Sequence, residues 1–251
     1  MEITLSGKTA VVTGATGQLG RVMAKTLAEC GADVAVHYLK NKEKADEIAA
    51  EIKSLGRNAI AVQADITNEV SVSAMRGEIN AALGHASIVV DAAVIQYPWM
   101  SILDQPTADF QSQFDSCVMH NVLMAKTFLP SMMEKGDGRL VGINTECSYL
   151  CNTNSGAYAS AKKGMDALYR VLAKEVGPSG VTVNQVAPGW TISDNDRIRH
   201  SEIAPEYSNH IPLRRRGTDR EIANAVLFLV SDLASFITGV CIPVCGGAVM
   251  V

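Results

Sequence analysis

Tyr158 and Lys162 stand four residues apart in Tyr158-Ala159-Ser160-Ala161-Lys162, at the opening of a strongly periodic helical stretch. Residues i and i+4 share a helix face, so the phenol and the ammonium point into the same space. A cation beside a phenol favours the phenolate and draws its pKa down from about 10, which equips Tyr158 as an acid or base near neutral pH. The same spacing also arises as a plain surface pair on many helices. Two further polar residues shift that balance. Thr145 lies thirteen residues upstream, just past a strand candidate, where a hydroxyl at the carboxyl end of a parallel strand faces a ligand crevice. Asn121 sits among apolar neighbours in His120-Asn121-Val122-Leu123. An amide there must be satisfied by a backbone group, a water or both, and it serves either the chemistry or the helix.

A second constellation is Thr13-Gly14-Ala15-Thr16-Gly17-Gln18-Leu19-Gly20, between a strand pattern and a helix pattern. Glycines let the backbone turn sharply and approach a pyrophosphate, whose charge then rests at the positive end of the next helix. Strand before and helix after are the context a dinucleotide cradle requires. At the end of the second strand an acid would hold a free ribose 2′-hydroxyl, whereas a basic neighbourhood accepts a 2′-phosphate. The chain reads His37-Tyr38-Leu39-Lys40-Asn41-Lys42, with Lys44 close behind and no acid. That favours NADP(H) over NAD(H), although the same lysines also suit a solvated helix start.

The elements that must position these residues alternate along the chain. Strand candidates are Lys8–Thr13, Asp33–Tyr38, Ala59–Ala64, Ser87–Asp91, Arg139–Asn144, Val181–Ala187 and Val240–Val244. Helical periodicity fills the gaps at Leu19–Cys30, Lys42–Leu55, Asn68–Leu83, Thr107–Glu134, Ser155–Val176 and Asp219–Ser231. Such alternation predicts repeated βαβ units around a parallel sheet. Gly31 and Gly56 read as helix C-caps and Asp219 as an N-cap. No linker or repeat breaks the pattern, so residues 1–251 are expected to form one domain. The long irregular stretch, about 190–213, is expected to be a binding loop or lid.

Composition excludes other classes. With 22 Lys+Arg against 26 Asp+Glu the formal charge is −4, which lacks the basic footprint of nucleic-acid binding. No apolar run approaches the length of a membrane span, and the N-terminus lacks a signal-peptide pattern, so a cytoplasmic protein is expected. Six cysteines in 251 residues are too few for a disulfide scaffold, and the CxxxC spacings at Cys147/Cys151 and Cys241/Cys245 do not match structural zinc; no metal is expected.

Taken together, the Thr13-Gly14 turn, Asp65 after the third strand, Asn121, Tyr158 with Lys162, Val183-Asn184, Pro188-Gly189, Ile222–Ser231 and Gly246-Gly247 resemble the short-chain dehydrogenase/reductase family from end to end. The likeness is to its short single-domain branch, and within that to 3-oxoacyl-carrier-protein reductase-like enzymes. It implies a doubly wound Rossmann fold with a seven-stranded parallel sheet, helices on both faces, and a homotetramer or dimer. It also implies an oxidoreductase interconverting a ketone and a secondary alcohol. Tyr158 would be the acid/base, Lys162 would hold the cofactor ribose, Thr145 would stand for the usual serine, and Asn121 would anchor a relay water. The cofactor would be held by Gly14, Thr16, Gly17, Gln18, Leu19, Tyr38, Lys40, Asp65, Ile66, Ala92, Ala93, Pro188, Gly189 and Thr191, together with Tyr158 and Lys162.

Three departures from the family pattern stand out. Gln18 takes the place of a glycine, giving the TGxxGxxG spacing of the extended branch. Asp91-Ala92-Ala93-Val94 replaces Asn-Asn-Ala-Gly, and Thr145 replaces serine. The first two motivate a rival reading, a non-catalytic NAD(P)-binding sensor or scaffold; the spacing also admits an epimerase or dehydratase. Candidate pocket walls are Gln96, Trp99, Cys147, Tyr149, Trp190 and Tyr207, with core or interface burial favoured for the two tryptophans.

Overall fold

The structure, a computed structural model, describes residues 3–95 and 97–251. Its seven strands are β1 (Thr9–Val12), β2 (Asp33–Tyr38), β3 (Ala59–Gln63), β4 (Ile88–Asp91), β5 (Gly138–Ile143), β6 (Val181–Pro188) and β7 (Cys241–Val244). All pair in parallel, in the order β3-β2-β1-β4-β5-β6-β7. The chain runs outward from β1 to β3, then returns to β4 beside β1. That reversal opens a crevice at the carboxyl ends of β1 and β4, where doubly wound sheets bind ligands.

The helices are α1 (Gln18–Glu29), α2 (Lys42–Ser54), α3 (Glu69–Leu83), α4 (Thr107–Phe114), α5 (His120–Lys135), α6 (Cys147–Leu150), α7 (Gly156–Val176), α8 (Asp194–Arg199), α9 (Pro205–Ser208) and α10 (Asp219–Val230). Side chains alternate across each strand, so one sheet feeds two cores. Val12, Val34, Val36 and Val90 pack beneath α1, α2 and α10 through Met23, Ile48 and Val226. Val11, Ala35 and Val89 pack on the other face beneath α3, α5 and α7 through Met75, Phe128 and Tyr169.

Four expectations from sequence are corrected. The helix anticipated over Thr107–Glu134 is split, because a π-helical turn at Asp115–Met119 separates α4 from α5. The side chain of Asn121 donates to the Cys117 carbonyl at that turn, taking a backbone acceptor that helix periodicity does not register. The 190–213 stretch is not irregular throughout: Ser193 and Asp196 form a capping box that starts α8, and Pro205 opens α9. A single turn, α6, also follows β5. Finally, α10 is capped by Thr218, whose hydroxyl and backbone exchange hydrogen bonds with Glu221, and Asp219 is its first helical residue. Among the described residues no helix is long and apolar enough to cross a membrane, no cluster of side chains has metal-ligating geometry, and the six cysteines are free thiols.

Candidate active site

Strand β5 ends at Ile143, and the next residues tie it to α7. Asn144 donates to the Gln185 side chain (2.7 Å) and to the Lys162 carbonyl (3.3 Å), while its own oxygen accepts the Thr145 N–H (2.8 Å). Gln185 in turn donates to Asp166 on α7 (3.1 Å). This buried amide network sets Thr145 against the helix that carries Tyr158 and Lys162. The Thr145 hydroxyl accepts the Cys147 N–H (3.2 Å), which leaves its own proton to donate.

Lys162 is buried and donates from Nζ to the Ile143 carbonyl (2.5 Å). The same ammonium lies 5.9 Å from the centre of the Tyr158 ring. Tyr158, Lys162 and Thr145 line one cavity of about 960 Å³, which also takes in Gln18, Leu19, Ala92, Pro188, Gly189 and Thr191. The chain thus brings nine of the expected site residues onto one surface. Gly14, Thr16, Gly17, Tyr38, Lys40, Asp65, Ile66 and Ala93 lie outside that lining, at or just beyond the carboxyl ends of β1 to β4.

The glycine turn is built for close approach. Gly14 has φ +64°, and a Cβ there would stand 2.8 Å from the Ala93 Cα. Its N–H donates to Nδ1 of His37 (3.0 Å), whose Nε2 meets the Ala64 carbonyl (3.0 Å). That pairing requires the neutral Nε2–H tautomer, and burial lowers the His37 pKa in agreement. The Thr13 hydroxyl oxygen accepts the N–H groups of Ala92 (2.9 Å) and Ala93 (3.1 Å), drawing the β4 segment onto the turn. Gly17 caps α1 without a side-chain hydrogen bond, leaving first-turn N–H groups for an anion.

Gln18, expected beside the pyrophosphate, has its amide engaged elsewhere. Its nitrogen donates to the Ile192 carbonyl (2.6 Å) and Asp219 (3.3 Å), and its oxygen accepts the Asp194 N–H (3.1 Å). Arg21 clasps both oxygens of Asp194 at 2.8 Å. A nicotinamide dinucleotide fits this donor set: a bare glycine turn, an uncapped helix start, and a cavity running from Gln18 to Tyr158. Of the three lysines after β2, Lys42 pairs with Asp46 and Lys44 with Glu47, while Lys40 is exposed. Asp65 turns one oxygen back to the N–H and hydroxyl of Thr67.

Asn121 does not reach the cavity. Its nitrogen meets Cys117 O and its oxygen accepts from Tyr169 (2.7 Å), whose hydroxyl also lies 2.9 Å from Asp91. The Cys117 contact fixes the amide's orientation, so one phenolic proton faces two oxygens. Tyr169 donates to Asn121 only if the Asp91 carboxyl keeps its proton and donates to Tyr169. Burial raises the Asp91 pKa to about 7, against the opposing pull of Tyr169 and Lys162. His120, 3.6 Å away, is pushed by burial to about 3. Pair distance suggests an ion pair, but both shifts oppose charge: His120 is neutral at neutral pH, and Asp91 keeps its proton below about pH 7. Asp91 thus serves the packing behind Lys162, while Val94 of the same segment lines the cavity.

Of the expected walls, Trp99, Cys147, Trp190 and Tyr207 line the cavity. The tryptophans are not core residues, being about half exposed; each stands in a loop, outside the apolar periodicity that builds the two cores. Tyr149 is turned away, with the Lys163 ammonium 4.5 Å from its ring centre, and Gln96 lies outside the described residues. Sequence reasoning missed Glu146, a buried acid on the cavity wall directly after Thr145, whose hydroxyl partner is Tyr207 (2.9 Å). Burial raises its pKa. An acid in the first turn beyond an apolar strand was the available signal.

Comparison with known proteins agrees with this fold. A family model described as enoyl-(acyl carrier protein) reductase matches residues 14–249. The 3-oxoacyl-(acyl-carrier-protein) reductase FabG of Staphylococcus aureus is 33% identical over 243 residues, covering 97% of this chain and 98% of its own. The 7α-hydroxysteroid dehydrogenase of Escherichia coli is 34% identical over 246 residues, covering 98% and 95%. Among solved structures, a 7α-hydroxysteroid dehydrogenase complexed with NADH and 7-oxo glycochenodeoxycholic acid superposes with TM-score 0.90 at 34% identity, covering 98% and 96%. A putative gluconate dehydrogenase from Agrobacterium tumefaciens gives TM-score 0.93 at 27% identity over the full length of both chains.

Proposed function

Because the chain belongs to the short-chain dehydrogenase/reductase family, we propose that it interconverts a ketone and a secondary alcohol with a nicotinamide cofactor, using Tyr158 as acid/base. The observation that carries this reading is the convergence of Tyr158, Lys162 and Thr145 on one cavity that reaches Gln18 and Leu19 at the start of α1, just past the glycine turn. When bound, the cofactor supplies or accepts the hydride. The α1 N-terminus and the Gly14–Leu19 turn would hold its pyrophosphate, and Pro188 to Thr191 would flank the nicotinamide end. Tyr158 donates its phenolic proton to the carbonyl oxygen during reduction and removes it during oxidation. The Lys162 ammonium, held by the Ile143 carbonyl, offsets negative charge on the phenolate. Thr145 donates its free proton to the same substrate oxygen, where charge develops. Asn121 acts from behind the site, by holding the Cys117 carbonyl and Tyr169.

NADP(H) is the favoured cofactor, supported by exposed Lys40 and the lack of an acid at the end of β2; the NADH held by the 7α-hydroxysteroid dehydrogenase leaves NAD(H) as the alternative. The test is loss of reduced-nicotinamide absorbance with a panel of ketones, in wild type and Tyr158→Phe. That substitution removes only the phenolic donor. Turnover is expected to fall by about 10²–10⁴-fold while cofactor affinity stays within about twofold. Unchanged turnover would remove Tyr158 from the mechanism.

A further inference from the structure

The cavity wall beyond Thr145 carries chemistry that proton transfer does not use. Glu146 is only 6% exposed yet lines the cavity. Its Oε2 accepts the Tyr207 hydroxyl at 2.9 Å. The Trp190 backbone N–H also donates to this carboxyl, so two protein donors serve a group with about four acceptor sites. A carboxylate withdrawn from bulk water with acceptor capacity to spare is costly, and a donor arriving on a ligand relieves that cost.

The neighbours hold this acid in place. Tyr207 packs edge-on against Trp190, ring centres 5.7 Å apart, and Trp190 is backed by the buried Arg216 guanidinium at 4.5 Å. Gly189 leaves room for the pair: a Cβ there would stand 2.9 Å from Glu146 Oε2 and would also strike the Tyr207 hydroxyl. Glu206 adds a second acid to the lining, and besides Lys162, which donates to the Ile143 carbonyl, and His210, no basic side chain among the described residues lines it. Arg216 is bound to Asp196 at 2.6 Å behind Trp190. An anionic group placed beside Glu146 would meet like charge.

We propose that Glu146 determines substrate specificity, and that the substrate is a ketone or secondary alcohol carrying a second hydrogen-bond donor, a hydroxyl or an ammonium, and no anionic group on the side that faces Glu146. This deepens the ketone/alcohol reading and rests on it for the placement of the carbonyl at Thr145 and Tyr158. A donor on the substrate completes the shell of the Glu146 carboxylate while the carbonyl meets the Thr145 hydroxyl one residue earlier in the chain. The faces of Trp190 and Tyr207 suit either the apolar side of a ring or an ammonium.

Four probes of one shape test this: cyclohexanone, 4-hydroxycyclohexanone, 4-aminocyclohexanone and 4-oxocyclohexanecarboxylate, each with wild type, Glu146→Gln and Glu146→Leu. In wild type, kcat/KM for the hydroxyl or the ammonium probe is expected to exceed that for cyclohexanone by about tenfold or more, with the carboxylate poorest. Glu146→Gln, which keeps shape and an acceptor oxygen, should lose the ammonium preference and keep part of the hydroxyl preference; Glu146→Leu should abolish both. A merely structural role would lower all four rates together and leave their ratios alone. Ratios within twofold of one in wild type, or ratios unchanged in both variants, would overturn the assignment. Should wild type turn over none of the four, the ketone/alcohol reading falls. Saturation-transfer NMR of 4-hydroxycyclohexanone and 4-aminocyclohexanone then decides Glu146 separately, with binding lost in Glu146→Leu expected and binding retained there overturning it.

Discussion

Thr145 shows how one side chain can be both anchored and available. Its hydroxyl oxygen takes the Cys147 N–H, its backbone N–H is held by Asn144, and its proton remains for a substrate oxygen. Serine would preserve all three features, whereas valine would keep the shape and lose the hydroxyl. Thr145→Ser should retain most turnover and Thr145→Val should lose at least about tenfold in kcat/KM, the effect of one lost hydrogen bond to developing charge; equal rates in all three proteins would exclude the role. Behind it, Asp91 and His120 act on stability in opposite senses. The Asp91 carboxyl has a folded-state pKa of about 7 against an ordinary 3.8, so the folded protein keeps a proton that the unfolded chain releases, and this group lowers stability as pH rises from about 4 to about 7. His120, near 3 in the fold against 6.5, works the other way: stability rises with pH from about 3 to about 6.5, and buried His37 acts in the same direction. Between about pH 4 and 6.5 the slopes oppose. Asp91→Asn mimics the neutral acid and removes its titration, so Tm of the variant should climb more steeply with pH across that window than Tm of wild type. Parallel curves would contradict a buried neutral Asp91.

At the scale of elements, the residues that set periodicity were legible and those that interrupt it were not. β-branched runs located all seven strands to within a residue or two, and the glycine turn fell between β1 and α1 as expected. The split at Asp115–Met119 was hidden, because Asn121 lies in the same apolar 3.6-residue pattern whether its amide faces solvent or a carbonyl one turn back. Glu146 was hidden for a related reason: its environment is made by Tyr207 and Trp190, which are distant in the chain and carry no shared spacing. The lock between α1 and the segment before α8 is likewise long-range, since Gln18 meets residues more than 170 positions away. A glutamine in a glycine's place suggested interference with a cofactor; in the fold it fastens a loop instead. Gln18→Ala should therefore speed hydrogen exchange at the backbone amides of 192–199 by about fivefold or more, the equivalent of one lost hydrogen bond, while exchange in β4 and β5 stays unchanged. Equal protection in both proteins would show that the ion pairs of the segment, Arg21 with Asp194, Arg197 with Asp219 and Arg216 with Asp196, hold it without Gln18.

For the whole molecule, a sheet with its reversal at β1 and β4 brings two separately encoded features together, the start of α1 just past the glycine turn (Gln18, Leu19) and the Tyr158/Lys162 pair, on one cavity. Nothing about either feature requires the other in sequence, since some 140 residues separate them. The fold makes them one site, which is why topology carried more functional information here than any single motif. The central claim is that this crevice holds a reduced nicotinamide dinucleotide, and calorimetric titration of the purified protein with NADPH and, separately, NADH tests it most directly. The account predicts saturable binding in the micromolar range, tighter for NADPH, with the preference reduced in Lys40→Ala. Binding of neither dinucleotide would contradict it and would turn attention to a scaffold role for the same fold.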